Sequence, residues 1–282
     1  MSKETLEVKK KEEIVLPDEV SPVGENLPPK DFIVLSIPKM GKGSIFGDFT
    51  TKYNALVFGL EKGGYEYIPA RKIEIHSSDE TTQWEAFQNY IKYRKALLEQ
   101  KGKYDYLIID GLADLDELSV IGGTLAYMDT VIGKSFNRSK DGQKIPYGEP
   151  DWKPVTSLPD GNGYQHTRKW FLEQIDIFKQ IAPYRLYAAH VADKTIKDNG
   201  KEEITTGEIA LTGQLKRIFA SKVTALAKLI ADGDDRYLNF EVANESIIAG
   251  SRAPQLEGKI LISKKLKDGK IETYWDSIYK TK

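Results

Sequence analysis

The stretch IVLSIPKMGKGSIFGDF, residues 33–49, combines three local patterns that together indicate a fold. Its first three residues form an apolar run that is typical of a buried strand. A turn with two glycines and two lysines follows at 36–43, and residues 44–49 have the character of a helix start. This order of strand, turn and helix is typical of a phosphate-binding loop, in which backbone N–H groups and a lysine face the anion.

The turn departs from the full pattern G-x-x-x-x-G-K-[ST] at two positions. Gly41 and Lys42 match it, but Ser36 replaces the first glycine and Gly43 replaces the Ser or Thr whose hydroxyl usually binds Mg²⁺. Ser44 offers a hydroxyl one residue late. We therefore predict a phosphate-binding loop with a weakened metal position. The same residues also fit a plain Gly-Lys turn between a strand and a helix.

The composition limits the class of protein. The 282 residues suit one large domain or two small ones, and 40% hydrophobic with 29% charged residues is ordinary for a globular protein. The lack of cysteine excludes disulfides and a Cys nucleophile and fits a cytoplasmic location. No apolar run approaches the roughly 18 residues of a membrane span, and the charged N-terminus lacks the apolar core of a signal peptide. A net charge of −1 means that any DNA binding must come from local loops.

Polar residues follow three further predicted strands. The run 55–60 is followed by Glu61, the run 104–110 ends in Asp110, and the run 186–191 contains His190 near its end. Because ligands of open α/β sheets bind at the carboxyl ends of the strands, these residues are candidates for water activation, Mg²⁺ binding and γ-phosphate sensing, respectively. A solvated turn glutamate and a satisfied core histidine are the alternatives for Glu61 and His190.

The remaining patterns predict the elements around these strands. A capping box at Thr82 and Glu85 begins one predicted helix. Predicted helices cover 82–100, 112–132, 170–181 and 211–219. Further predicted strands cover 73–75, 223–230 and 237–242, with a terminal hairpin of 259–263 and 271–275 around Asp268. The polar segment 195–208 is predicted to be a mobile loop.

Two basic segments are candidate nucleic-acid surfaces. Residues 134–169 carry seven Lys or Arg against four Asp or Glu, with aromatic residues between them. Residues 259–282 carry seven Lys against three acids. A surface insertion and a solvated edge hairpin, respectively, explain the same residues without a nucleic acid.

The ordered set of motifs resembles phage-encoded RecA-like NTP-binding proteins, namely the Sak group of single-strand annealing proteins and their AAA-type relatives. The resemblance extends over residues 31–254. The segments that carry it are Pro38-Lys39-Met40-Gly41-Lys42, Gly47-Asp48-Phe49, Leu60-Glu61-Lys62-Gly63-Gly64, the run 104–110, His190-Val191-Ala192-Asp193-Lys194 and Gly250-Ser251-Arg252-Ala253-Pro254.

The resemblance implies a RecA-like α/β core with a mainly parallel sheet, helices on both faces and a C-terminal antiparallel hairpin. It implies ATP and Mg²⁺ as cofactors, with Asp110 and Ser44 as metal candidates. The implied catalytic residues are Lys42, Glu61, His190 and Arg252, the last as an arginine finger at a subunit boundary. The implied nucleotide-binding residues are Pro38, Lys39, Met40, Gly41, Lys42, Gly43 and Ser44.

The resemblance also implies partners and a place of action. The expected partners are single-stranded DNA and further copies of the chain in a ring or filament, without a membrane, in the host cytoplasm. The expected organisation is a flexible arm at 1–30, a core at 31–254 with an insertion at 134–164, and a hairpin extension at 255–282.

Two other functions fit parts of the sequence. The first is a degenerate P-loop protein that binds or assembles without turnover, which the Gly43 departure and the long arm favour. The second is a small-molecule kinase on a P-loop fold. No evident acceptor-site base or arginine-rich lid in the sequence supports the kinase.

Overall fold

The computed structural model describes residues 27–198, 201–241, 249–267 and 269–279, with side chains described outside 193–206. Its helices are α1 (Lys42–Lys52), α2 (Gln83–Glu99), α3 (Leu112–Met128), α4 (Tyr164–Ile181) and α5 (Leu215–Lys222). Its strands are β1 (Asp31–Ser36), β2 (Ala55–Gly59), β3 (Lys72–Glu74), β4 (Tyr106–Asp110), β5 (Tyr184–Asp198), β6 (Lys201–Ile209), β7 (Ala225–Asp232), β8 (Asp235–Asn239), β9 (Gly250–Ser251), β10 (Lys259–Lys265) and β11 (Ile271–Thr273).

The strands of the described residues form one mixed sheet in the order β11-β10-β8-β7-β1-β5-β4-β2-β3. The six strands from β7 to β3 are mutually parallel. Antiparallel pairs extend the sheet from β7 through β8 and β10 to β11. The predicted α/β fold, with a mainly parallel sheet and a C-terminal antiparallel hairpin, is confirmed.

The central strands are continuous apolar runs because both faces of the sheet are covered. All residues of β1 and β2 are buried, as is usual for parallel strands between two helical layers. Ile33 and Leu35 face the layer that contains α2, α3, α4 and α5. Phe32 and Val34 face the opposite layer, which contains α1 and the C-terminal residues. The alternation of the side chains thus divides the core into two halves.

The C-terminal residues hold α1 in place. The rings of Trp275 and Tyr279 lie 4.9 Å and 5.8 Å from the ring of Phe49 in α1, and the Trp275 indole N–H donates to the carbonyl of Ile45 at 3.3 Å. The predicted hairpin extension therefore packs against the helix that follows the glycine-lysine turn. The limits of the three predicted domains stay predictions.

Several helices begin or end at residues other than the predicted ones. Helix α1 begins at Lys42 rather than at Ser44, α3 ends at Met128, and α5 begins at Leu215. Predictions that involve residues 1–26, 199–200, 242, 268 and 280–282 lie outside the described residues.

The prediction of a mobile loop at 195–208 is wrong. Strand β5 continues to Asp198, and β6 pairs with it antiparallel in the register Val191↔Ile209 to Asp198↔Lys201. The segment lacks the apolar alternation that marks a half-buried strand, so its sequence resembles a loop. Backbone hydrogen bonds of the antiparallel ladder, which a residue pattern does not reveal, make it a hairpin.

The predicted insertion at 134–164 consists mainly of turns that are anchored to the core. The Asn137 side chain is buried and exchanges two 2.8 Å hydrogen bonds with the backbone of Lys153. The Val155 N–H donates to the Thr124 hydroxyl on α3 at 2.8 Å. Among the helices of the described residues, none combines the length and the apolar character that a membrane crossing needs.

Candidate nucleotide-binding site

The glycine-lysine turn leads directly into α1. Gly41 is the residue before the helix and has φ 88° and ψ 13°, a left-handed conformation that glycine adopts without strain. Lys39 is also left-handed, with φ 63°. Within the described part of the chain, no side chain caps α1. The first N–H groups of this helix are therefore available to an anion at the carboxyl edge of the sheet.

The Lys42 ammonium lies beside the Asp110 carboxylate in the interior. The distance from Nζ to Oδ1 is 3.3 Å, and the two side chains are only 8% and 4% exposed. Neither of these atoms has a hydrogen-bond partner among the described residues, so the pair is close without being aligned. Burying two charges costs free energy unless hydrogen bonds also satisfy their remaining lone pairs and protons. A phosphate oxygen on Lys42 and a cation on Asp110 would satisfy both groups, so these residues fit a magnesium nucleotide.

The Tyr65 hydroxyl is hydrogen-bonded to the other carboxylate oxygen of Asp110. It donates a 2.6 Å hydrogen bond to Asp110 Oδ2 from a side chain that is 1% exposed. Burial, followed by the charge of Asp110, raises the pKa of Tyr65 well above its usual value. Tyr65 therefore stays a protonated donor. No motif in the sequence marked this residue, because it lies 45 positions from its partner.

Glu61 and His190 meet at the same edge of the sheet. The distance from Glu61 Oε2 to His190 Nε2 is 3.6 Å, and both side chains are partly exposed. His190 lies opposite Ser36 in the pairing of β5 with β1. The backbone N–H groups of Leu60 and Glu61 point to the Asp110 carbonyl at 2.7 Å and 3.4 Å, which joins the ends of β2 and β4.

Asp114 adds a carboxylate that sequence analysis missed. It lies in the first turn of α3, four residues after Asp110 at the end of β4. Burial, and then the charge of Glu61, raises the pKa of Asp114 from 3.8 to about 6. Gly111, with φ 109°, makes this approach possible, because a Cβ atom there would lie 2.6 Å from Asp114 Oδ2 and 2.9 Å from the Glu61 nitrogen. The spacing of Asp110 and Asp114 was the available signal.

The variant Asp114→Asn should be more heat-stable than the native protein at pH 8 and should lose this advantage toward pH 4. The pKa of Asp114 is higher in the folded state than its ordinary value, so its stability cost appears as pH rises from about 4 and is complete above pH 6. One pKa unit corresponds to about 1.4 kcal/mol, which sets an upper limit of about 3 kcal/mol for the gain. Thermal melting at both pH values tests this, with the exposed Asp176→Asn as control. A gain that is equal at both pH values would contradict the assignment.

The structure explains both positions at which the turn departs from the full phosphate-binding pattern, Ser36 and Gly43. Ser36 is the last residue of β1, and the left-handed conformations in the turn fall on Lys39 and Gly41 instead. The chain therefore has no conformational need for glycine at position 36. At Gly43, an added Cβ would lie 2.9 Å from the terminal methyl carbon of Ile68 and 3.4 Å from the Gly64 carbonyl. The segment 64–70 thus packs against α1 where the usual Ser or Thr would project.

The other predicted binding residues surround this turn. Pro38 and Lys39 are exposed, and Met40, Gly41, Gly43 and Ser44 are partly buried. The Arg236 side chain from β8 donates to the Met40 carbonyl at 3.2 Å and supports the turn. Ser44 is the third residue of α1, and the later helix start that would bring its hydroxyl into the usual position is not observed.

Arg252 lies away from these residues within one chain. Its neighbour Ser251 pairs with Ala225, which pairs with Phe32 near the start of β1. The glycine-lysine turn follows the other end of β1, at Ser36. The Arg252 guanidinium donates to the Ser221 carbonyl near the end of α5. The structure thus brings Lys42, Asp110, Glu61 and His190 together at the carboxyl ends of the parallel strands. It places Arg252 near their amino ends. A role of Arg252 in a neighbouring copy stays a prediction.

The fold and the residues at the carboxyl edge of the sheet are those of a P-loop NTPase, a class of proteins that bind nucleotides. The AAA domain family matches residues 29–253, which is most of the chain, so the protein belongs to this family. The comparison with curated proteins found no match. The family membership confirms the predicted P-loop NTPase class and nucleotide binding, with Mg²⁺ as the cation that such proteins use.

Proposed function

We propose that the protein binds and hydrolyses ATP and acts on single-stranded DNA, as a member of the Sak group in phage recombination or replication. The observation that carries this proposal is the convergence of four polar side chains from four elements at one sheet edge. They are Lys42 on α1, Glu61 after β2, Asp110 on β4 and His190 on β5. The order of the motifs along the chain supports the more specific family.

Each residue has a task in this proposal. The N–H groups of α1 and the Lys42 ammonium hold the phosphates, and Asp110, with Ser44 as a further candidate, holds Mg²⁺. Bound Mg²⁺ would neutralise charge on the phosphate oxygens. Glu61 orients a water molecule and accepts its proton. His190, 3.6 Å from Glu61, is suited to respond to the γ-phosphate.

The hairpin of β5 and β6 suggests how the site could be linked to DNA. The pairing of β5 with β1 ends at His190, and from Val191 onward β5 pairs with β6. One strand therefore runs from the candidate sensor into a hairpin beyond the carboxyl edge of the sheet. The hairpin and the insertion at 134–164 are the two candidate DNA contacts. Assembly into a ring or filament, with Arg252 reaching a neighbouring copy, completes the proposal.

ATP turnover measured with and without single-stranded DNA tests the proposal. We expect turnover to increase when DNA is added, because DNA contacts on the hairpin would shift His190 at its base. Replacing the exposed Lys140 and Lys144 of the insertion with glutamate, or shortening the hairpin, and repeating a salt titration of DNA binding would show which segment neutralises phosphates. A folded protein with no turnover in either condition would contradict the enzymatic part.

A second candidate function is a P-loop protein that binds nucleotide without turnover and serves as a binding or assembly module. Gly43 favours it, because the usual Mg²⁺ hydroxyl is missing at that position. Nucleotide binding without hydrolysis, unchanged by DNA, is the result that would support this alternative.

A further inference from the structure

We propose that Tyr65 is a metal-positioning residue that compensates for the hydroxyl missing at Gly43 by orienting Asp110. In this proposal its O–H fixes the Asp110 carboxylate so that the second carboxylate oxygen is presented to Mg²⁺. The inference rests on the binding of a magnesium nucleotide at Lys42 and Asp110. It does not depend on hydrolysis or on DNA.

The two oxygens of Asp110 have different surroundings. Oδ2 accepts the 2.6 Å hydrogen bond from Tyr65. Oδ1 lies 3.3 Å from Lys42 Nζ and has no hydrogen-bond partner among the described residues. A carboxylate held by one oxygen keeps a defined direction for the other. Such outer contacts orient metal ligands, and their removal typically lowers metal affinity or activity about 10- to 100-fold.

The position of Tyr65 relates it to the missing hydroxyl. A Cβ atom built on Gly43 would lie 3.9 Å from Tyr65 Cε1, so the ring packs beside the place that a Ser or Thr side chain would fill. The terminal methyl carbon of Ile68, three residues after Tyr65, would be only 2.9 Å from the same Cβ. The position of Tyr65 therefore depends on the glycine at position 43. Without a side chain at position 43, the segment 64–70 can approach and bring a hydroxyl to Asp110.

The backbone around Tyr65 is itself restrained. Its carbonyl accepts a hydrogen bond from the Ile68 N–H at 3.3 Å and another from the Lys72 ammonium. Lys72 also forms a 2.8 Å ion pair with Glu74 on β3. A second close approach supports the same placement, because a Cβ on Gly47 would lie 2.6 Å from Ile68 Cγ2. The hydroxyl is thus delivered by a packed segment.

The variant Tyr65→Phe tests the proposal through metal-dependent binding. We expect the affinity for a fluorescent ATP analogue in Mg²⁺ to fall about 10- to 100-fold, the range seen when outer-shell partners of metal ligands are removed. Affinity measured in EDTA should not change, because Tyr65 is not proposed to contact the phosphates. The control is Tyr90→Phe, which removes another buried hydroxyl, bonded to Gln174 at 3.1 Å in the other half of the core.

A rescue variant separates positioning from general destabilisation. Ile68→Val removes the terminal methyl group that faces Gly43, which makes room for Gly43→Ser. We expect the triple variant Tyr65→Phe, Gly43→Ser and Ile68→Val to recover the Mg²⁺-dependent affinity, because a hydroxyl returns to the usual position. Binding of Mn²⁺ with the nucleotide, followed by electron paramagnetic resonance, gives a second measure of the metal.

The outcomes distinguish this inference from the proposed function. If the native protein binds the analogue in a Mg²⁺-dependent manner and Tyr65→Phe retains that dependence, the inference on Tyr65 is overturned and nucleotide binding stands. If Tyr65→Phe loses affinity equally in Mg²⁺ and in EDTA, Tyr65 is a structural residue only, and the inference is again overturned. If the native protein binds no analogue in either condition, the inference and the proposed function fail together.

Discussion

Replacing Lys42 with alanine is expected to lower ATP turnover by about 10²- to 10³-fold, the effect of removing one preorganised electrostatic contact to a developing charge. The ammonium is buried at the N-terminus of α1 and 3.3 Å from Asp110 Oδ1. Its loss removes the positive charge that is proposed to face the phosphates. Nucleotide affinity should fall as well, because the helix N–H groups would remain as the main anion contact.

The same substitution affects stability, and this has to be separated from catalysis. Without Lys42, Asp110 becomes a buried carboxylate whose one side-chain hydrogen bond within the described residues comes from Tyr65, and breaking a buried pair costs about 3–5 kcal/mol. Activity is therefore compared below the melting transition of each variant. Lys95→Ala is the matched control, because this lysine is 76% exposed on α2. Native turnover in a folded Lys42→Ala protein would refute the phosphate-binding role.

Replacing Glu61 with glutamine is expected to lower turnover by about 10²- to 10⁴-fold, the contribution typical of a positioned general base. Glutamine keeps the size of the side chain but cannot accept a proton from water. Binding of ATP should remain close to native, because the proposed phosphate contacts belong to Lys42 and α1. Single-turnover hydrolysis and binding of a fluorescent analogue, measured on the same preparation, separate these two effects.

The exposed Glu99→Gln on α2 is the control for this substitution, since its side chain is 65% exposed. Loss of the Glu61 charge should also lower the pKa of Asp114, to which that charge contributes. A Glu61→Gln protein with native turnover would favour the interpretation of Glu61 as a solvated turn residue. Lost affinity with unchanged turnover of bound ATP would assign Glu61 to binding instead.

The local patterns predicted the elements that determine the fold. The runs at 33–35, 55–60 and 104–110 correspond to β1, β2 and β4, because parallel strands buried on both faces need continuous apolar sequence. The capping box at Thr82 and Glu85 forms as predicted at the start of α2. Elements of this kind are determined by residues that are neighbours in the chain, so a sequence alone identifies them.

The sequence alone therefore determined the class of fold and the segments that carry Lys42, Asp110, Glu61 and His190. The tertiary structure decided which of these groups meet. It placed β5 between β1 and β4, brought Tyr65 to Asp110 across 45 positions, and left Arg252 at the opposite edge. Strand order and contacts between distant segments follow from crossovers and packing of the whole core. No local pattern encodes them.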